Sequence, residues 1–319
     1  MTTPIITKAT NILREGGLVA FPTETVYGLG ADAANPDALQ RIFAAKERPY
    51  NHPLIVHISA IKNLNDWARE VPETAIKLAH AFWPGPLTLI LKKQPHVSDL
   101  ITSGQDTIGL RIPKHPVALQ LLQAFAGGIA APSANRFTHI SPTTAMAVQE
   151  ELGGKIDLIL EGGLCEVGLE STIIDVTRET PVILRPGMIS AQAISALLGM
   201  QVALAASEAE IRAPGMHHLH YAPNTAAALI AKDEVSSFLQ INKDPVAIVI
   251  YSEMNMPEIP NVHWVKLSDK PAQYAHDIYQ SLRSLDHQQF KRILIERVPD
   301  TTEWDAIRDR LLKATGGRK

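Results

Sequence analysis

Four cations stand where an ordinary globular chain has little reason to place them. Lys46 and Arg48 flank Glu47 at the end of a helical pattern, just ahead of Pro49. Arg111 lies in the apolar run Thr107-Ile108-Gly109-Leu110-Arg111-Ile112, and Arg185 closes Val182-Ile183-Leu184 ahead of Pro186-Gly187. Cationic groups converging beside strands make a clamp for phosphate or carboxylate oxygens. Residues two apart on a helix face different ways, but Pro49 pushes Arg48 toward extended backbone, where both side chains can point alike. Taken alone, a solvated basic helix end accounts for Lys46 and Arg48 better than a clamp does. An arginine in an apolar strand is expensive to bury unpaired, so Arg111 is either an edge-strand residue or the ligand of an anion. Arg185 poses the same choice.

Hydroxyls and glycines accompany these cations. Ser133-Ala134-Asn135 follows a buried strand and Ser171-Thr172 opens another, either as turn and helix caps or as donors to ligand oxygens. The stretch Pro22-Thr23-Glu24-Thr25-Val26-Tyr27-Gly28-Leu29-Gly30 follows Leu18-Val19-Ala20-Phe21 and reads as a polar loop delivered by a buried strand. Its glycines let backbone approach a ligand or take positive φ. There is no G-x-S-x-G elbow for a serine nucleophile, no P-loop and no G-x-G-x-x-G. His217, His218 and His220 have no carboxylate in their run and the chain has one cysteine, so no metal site is expected.

The 319 residues, 45% apolar and 20% charged, suit two folded domains rather than a disordered chain. A net charge of -3 argues against a surface coated for duplex binding. The lone Cys165 excludes an intramolecular disulfide framework and reads as a small buried hydrophobe. No run reaches membrane-spanning length and Met1 to Lys8 lacks the build of a secretion signal, so a cytoplasmic protein away from membranes is expected.

Periodicity predicts helices at Pro4 to Arg14, from Pro36 to about Arg48, and at Thr74 to Phe82, Pro116 to Phe125, Thr143 to Leu152 and Ala191 to Leu198. Strands are expected at Pro53 to Ser59, Leu87 to Leu91, Thr107 to Ile112, Gly128 to Pro132, Ile156 to Leu160, Ser171 to Val176 and Val182 to Leu184. These define an α/β domain over residues 1–200, with helices on a twisted mixed sheet. Residues 201–224 lose both periods and read as a linker. Residues 225–319 alternate strand and helix again, as in a smaller Rossmann-like parallel sheet.

In their order, these clusters resemble the threonylcarbamoyl-adenylate synthase family, the YrdC-like enzymes, in the long two-domain form. The resemblance rests on Gly16–Gly30, Lys46-Glu47-Arg48-Pro49 with Pro53-Leu54-Ile55-Val56-His57, Trp83-Pro84-Gly85-Pro86-Leu87-Thr88, Ser133-Ala134-Asn135, Ser171-Thr172 and Arg185-Pro186-Gly187. Ala213-Pro214-Gly215-Met216 and His220-Tyr221-Ala222-Pro223 resemble that family's interdomain segment. His52 departs from an asparagine common in the family, and imidazole can still donate a hydrogen bond there. The resemblance implies ATP (with Mg²⁺), L-threonine and bicarbonate as substrates, and threonylcarbamoyl-AMP and pyrophosphate as products. It further implies proteins that pass the product on to tRNA beside the anticodon, and weak tRNA contact. By the same resemblance Lys46, Arg48 and Arg185 are catalytic. ATP is held by Arg48, His52, Thr107, Ser133, Asn135, Ser141, Arg185 and Tyr221, with Lys46 also on its phosphates. Threonine is held by Thr25, His57, Ser171 and Arg111, the last pairing its carboxylate, while Tyr221 and its linker act as a lid. The alternatives are a non-catalytic tRNA- or double-stranded-RNA-binding module, in which the same cations read backbone phosphates, and a carbamoyl-type transferase with another acceptor.

Overall fold

Local signals set the helices that carry the first cations. Asn35 caps the Pro36–Lys46 helix by accepting from the amides of Asp37 and Ala38, and Pro36 takes the first helical turn, where no amide partner is needed. The helix buries Leu39, Ile42 and Phe43 and ends because Glu47 turns left-handed, at φ 54°. The break therefore comes one residue before the position that Pro49 restricts. His115 caps Pro116–Phe125 through Nδ1, and that helix begins and ends where periodicity places it.

The computed structural model describes residues 3–205, 211, 213–215 and 220–316. The chain divides into one unit of Met1–Phe137 with Pro142–Met216, and a second of Thr138–Ser141 with His217–Lys319. The first unit contains a mixed sheet of 11 strands. Its centre runs Thr172–Asp175, Leu87–Lys93, Thr107–Arg111, Ile55–His57, Ile129–Ala130 and Gly28–Asp32. Leu89, Leu91, Leu110, Val56 and Ala130 face one continuous core with Leu39, Ile42 and Phe43.

Two expectations are corrected here. The predicted polar loop ends early, since Gly28–Asp32 is a strand paired with Val19–Phe21 and Ile129–Ala130. A Cβ at Gly30 would lie 2.8 Å from the Phe21 ring and 2.9 Å from Ile129, so this glycine serves strand packing rather than ligand approach. Thr107–Arg111 is an interior strand between Leu87–Lys93 and Ile55–His57, which removes the edge-strand account of Arg111.

In the second unit four parallel strands lie in the order Ala227–Ile230, Arg292–Glu296, Val246–Ile250, Val262–Lys266. Val246–Ile250 is buried throughout, as a central parallel strand covered on both faces should be. The Pro271–Asp286 helix buries Tyr274, Ile278, Tyr279 and Leu282. The two sheets bear out the mixed-plus-parallel α/β architecture. Among the described residues no helix is long and apolar enough to cross a membrane.

Candidate active site

The interior position of Thr107–Arg111 dictates the environment of its last residue. Arg111 is 5% exposed, and its guanidinium donates from Nη2 to Glu24 Oε1 (2.7 Å) and Thr25 Oγ1 (2.9 Å). Nε reaches Gly85 O at 3.3 Å, and the other Glu24 oxygen accepts from the Lys114 amide at 2.8 Å. Thr23 gives its hydroxyl proton to Val26 O (2.6 Å), so Thr25 must donate to Thr23 Oγ1 (2.8 Å) and accept from Arg111. The chain thus supplies Arg111 with its own anion, leaving Nη1 as the edge of the guanidinium without a hydrogen bond among the described residues.

His57 is the register partner of Arg111 on the neighbouring strand. Burial, and then the Arg111 charge, lower its pKa to about 3, so it is a neutral imidazole at neutral pH. Its Nδ1 is buried and unpartnered among the described residues. On Leu87–Lys93, which flanks the Arg111 strand on the side away from His57, Thr88 Oγ1 lies 2.8 Å from Ser171 Oγ. Arg185 locks that pair, donating from Nε to Ser171 O and from Nη2 to Ser171 Oγ, both at 3.1 Å, and from Nη1 to Pro214 O at 3.2 Å. Thr25, His57, Arg111 and Ser171 therefore stand on adjoining strands or strand ends of one sheet, with Arg185 bound to the last of them.

Lys46 and Arg48 are both buried, which overturns the solvated-helix-end account. Lys46 Nζ donates to Ser133 O (2.6 Å) and to Asn135 O, stapling the Ser133-Ala134-Asn135 loop. Burial and the nearby Arg48 charge hold its pKa well below the usual lysine value, with Glu151 opposing. Arg48 donates to Pro53 O at 3.0 Å, and its guanidinium stacks over Phe137, whose ring also lies 5.0 Å from His52. Thr107 lines a narrow apolar slot with Ile55, Ile90, Gly109 and Pro214.

Ser141 and Tyr221 belong to the second unit. Tyr221 has φ 61° and is buried, its ring stacked on Tyr279 (5.9 Å) and beneath the Arg310 guanidinium (5.1 Å). His217 and His218 lie outside the described residues. Among those described, no group of three His, Cys, Asp or Glu can hold a metal ion. Burial pushes the Cys165 thiol up to about 12, which makes it no nucleophile.

Two site residues escaped sequence reading, Glu24 and Thr88. Glu24 stood in view within the polar stretch after Phe21, 2% exposed in the structure. A lone carboxylate between apolar segments needs a cation as much as Arg111 needs an anion, and matching those two needs would have paired them. Thr88 carried no local signal, since threonine is common in strands.

A family model described as Telomere recombination (Sua5_yciO_yrdC) matches residues 11–187, and one described as Threonylcarbamoyl-AMP synthase, C-terminal domain, matches residues 189–316. A protein of Pyrococcus abyssi named Threonylcarbamoyl-AMP synthase is 39% identical over 97% of this chain and 94% of its own. One of Bacillus subtilis with the same name is 39% identical over 99% and 94%. The crystal structure of P. abyssi Sua5 complexed with L-threonine superposes with a TM-score of 0.90 at 39% identity, covering 98% of this chain and 94% of that one. With both halves of the sheet-and-cation arrangement matched along nearly its whole length, the chain belongs to the threonylcarbamoyl-AMP synthase (Sua5) family.

Proposed function

We propose that this chain is an L-threonylcarbamoyladenylate synthase, a nucleotidyltransferase of tRNA modification that converts L-threonine, bicarbonate or CO₂, and ATP into threonylcarbamoyl-AMP and pyrophosphate. The observation that carries the reading is the near-full-length similarity to proteins of that name, one of them crystallised with L-threonine. The same similarity favours an enzyme over a non-catalytic RNA-binding module.

The reaction asks little covalent chemistry of the protein. Threonine's amine adds to CO₂ to give a carbamate with loss of one proton. A carbamate oxygen then attacks the α-phosphorus, and the Pα–O bond to pyrophosphate breaks. Positioning and positive charge on the phosphate oxygens are what lower such barriers. In this proposal Arg111, held by Glu24 and Thr25, presents Nη1 to the threonine carboxylate. Neutral His57 supplies a hydrogen-bonding edge without adding charge beside the amine. Ser171, oriented by Arg185, completes that pocket. Arg48, Arg185, Ser133 and Asn135 of the first unit serve ATP with Thr107 and His52, and Lys46 fixes the Ser133–Asn135 loop as well as contributing charge. Mg²⁺ would enter with ATP and share the neutralisation of its phosphate charge; among the described residues no group of three His, Cys, Asp or Glu could hold a metal ion. The product passes to the proteins that complete the tRNA modification.

The test is to incubate the full chain with ATP, L-threonine and ¹³C-bicarbonate and follow the label by mass spectrometry. Label in an adenylate that also contains threonine supports the proposal. Label in an adenylate of another amine acceptor would favour a different carbamoyl-type transferase, and no labelled adenylate would refute both.

A further inference from the structure

The topology of the second unit is one that usually holds a ligand. In open parallel sheets, ligands sit beyond the carboxyl ends of two adjacent strands whose connections leave in opposite directions. Here those strands are Val246–Ile250 and Arg292–Glu296, which are hydrogen-bonded neighbours. From the first, the chain runs to Val262–Lys266 at one edge of the sheet. From the second, it runs into the Asp305–Ala314 helix, which packs against Ala227–Ile230 at the other edge.

Hydrogen-bond donors converge in this crevice. The backbone amides of Tyr251 and Ser252 both donate to one carboxylate oxygen of Glu296, at 2.9 and 3.1 Å, and the Ser252 hydroxyl donates to the other. Successive amides aimed at one oxygen form the kind of concavity that binds phosphate in many proteins. Lys266, at the carboxyl end of the neighbouring strand, braces the same loop, with Nζ 3.0 Å from Ser252 O and 2.8 Å from the Glu253 carboxylate. The rings of Tyr251, Tyr274 and Trp304 pack together nearby, with centroids 5.2 to 6.4 Å apart. Glu296 is 2% exposed and makes no ion pair among the described residues, so two amides and a hydroxyl alone stabilise its charge. That charge, after burial itself, raises the phenol pKa values of Tyr251 and Tyr274.

We infer that Glu296 is an internal oxyanion: its carboxylate fills the anion position of the crevice, so the second unit takes no phosphate-bearing ligand there while Glu296 is in place. The amide–hydroxyl cradle is intact and self-occupied, and its natural complement belongs to the phosphate class.

The experiment follows the amide resonances of Tyr251 and Ser252 in the full chain while inorganic phosphate is added. In the unaltered chain both are expected to stay still across the titration. In Glu296→Ala both should shift saturably, with phosphate affinity at least about tenfold higher than in the unaltered chain. Glu296→Gln, which refills the space with a neutral acceptor, should behave as the unaltered chain does. Glu296→Ser provides a milder opening if the alanine variant does not fold. Saturable shifts in the unaltered chain would overturn the inference by showing an open site. Still resonances in a folded alanine or serine variant would overturn it by showing that the amides form no anion cradle.

Discussion

Glu24→Gln and Arg111→Met, made singly and together, test whether the pair at the centre of the site behaves as a buried ion pair. Glu24 Oε1 and Arg111 Nη2 are 2.7 Å apart, with side-chain exposures of 3% and 6%, so water screens them little. Removing Arg111 strands a carboxylate whose remaining hydrogen-bond partner among the described residues is the Lys114 amide. Removing the Glu24 charge strands a guanidinium inside an interior strand and sets an amide donor against the Lys114 N–H. Breaking such a pair from one side costs about 3–5 kcal/mol, because the survivor stays buried and uncompensated. The double variant buries neither charge and should lose about as much as one single variant, giving a coupling of roughly 3–5 kcal/mol. Urea-dependent hydrogen exchange, read on peptides spanning 87–93 and 107–111, isolates this sheet from the second unit. Single losses below about 1 kcal/mol that simply add would refute the reasoning, because that is how exposed pairs behave.

Three further outcomes are expected. His57 has a folded pKa of about 3 against an ordinary 6.5, so between those values only the unfolded chain binds the proton. Stability contributed by keeping it neutral should therefore fall as pH drops from 6.5 toward 3, by at most roughly 1.4 kcal/mol per pH unit, and a His57→Gln variant should show a shallower decline in a pH series of urea midpoints. Gly30→Ala places a methyl 2.8 Å from Phe21 and 2.9 Å from Ile129, and should cost about 1–3 kcal/mol in the same exchange assay; an unchanged midpoint would show that the strand pair can yield. Lys46→Met keeps the buried stem but frees the carbonyls of Ser133 and Asn135, and steady-state kinetics should show KM for ATP raised at least about tenfold with KM for threonine little changed.

Most elements could be read because each has a local cause. The caps at Asn35 and His115, the prolines behind them and the apolar periods place two helices almost to the residue. Short strands such as Ile55–His57 and Ile129–Ala130 came out longer in sequence, since apolar character continues past the last ladder hydrogen bond. Gly28–Asp32 was hidden because two glycines signal a turn locally, while here they admit Phe21 and Ile129 against a central strand. The site divided along the same line. The cations were visible through their apolar settings, but what they bind was not. Lys46 meets backbone carbonyls 87 and 89 residues away, and Arg111 meets a carboxylate 87 residues away, contacts that only the sheet order creates. The standing of Ser141 with the second unit likewise depends on packing that no window of sequence reveals.

The most direct measurement is pyrophosphate release from ATP and bicarbonate, with L-threonine, with serine, and with no amino acid. The account predicts release that depends on threonine, exceeds that with serine, and falls sharply in Arg111→Met. Release independent of any amino acid, or none at all from folded protein, would contradict it.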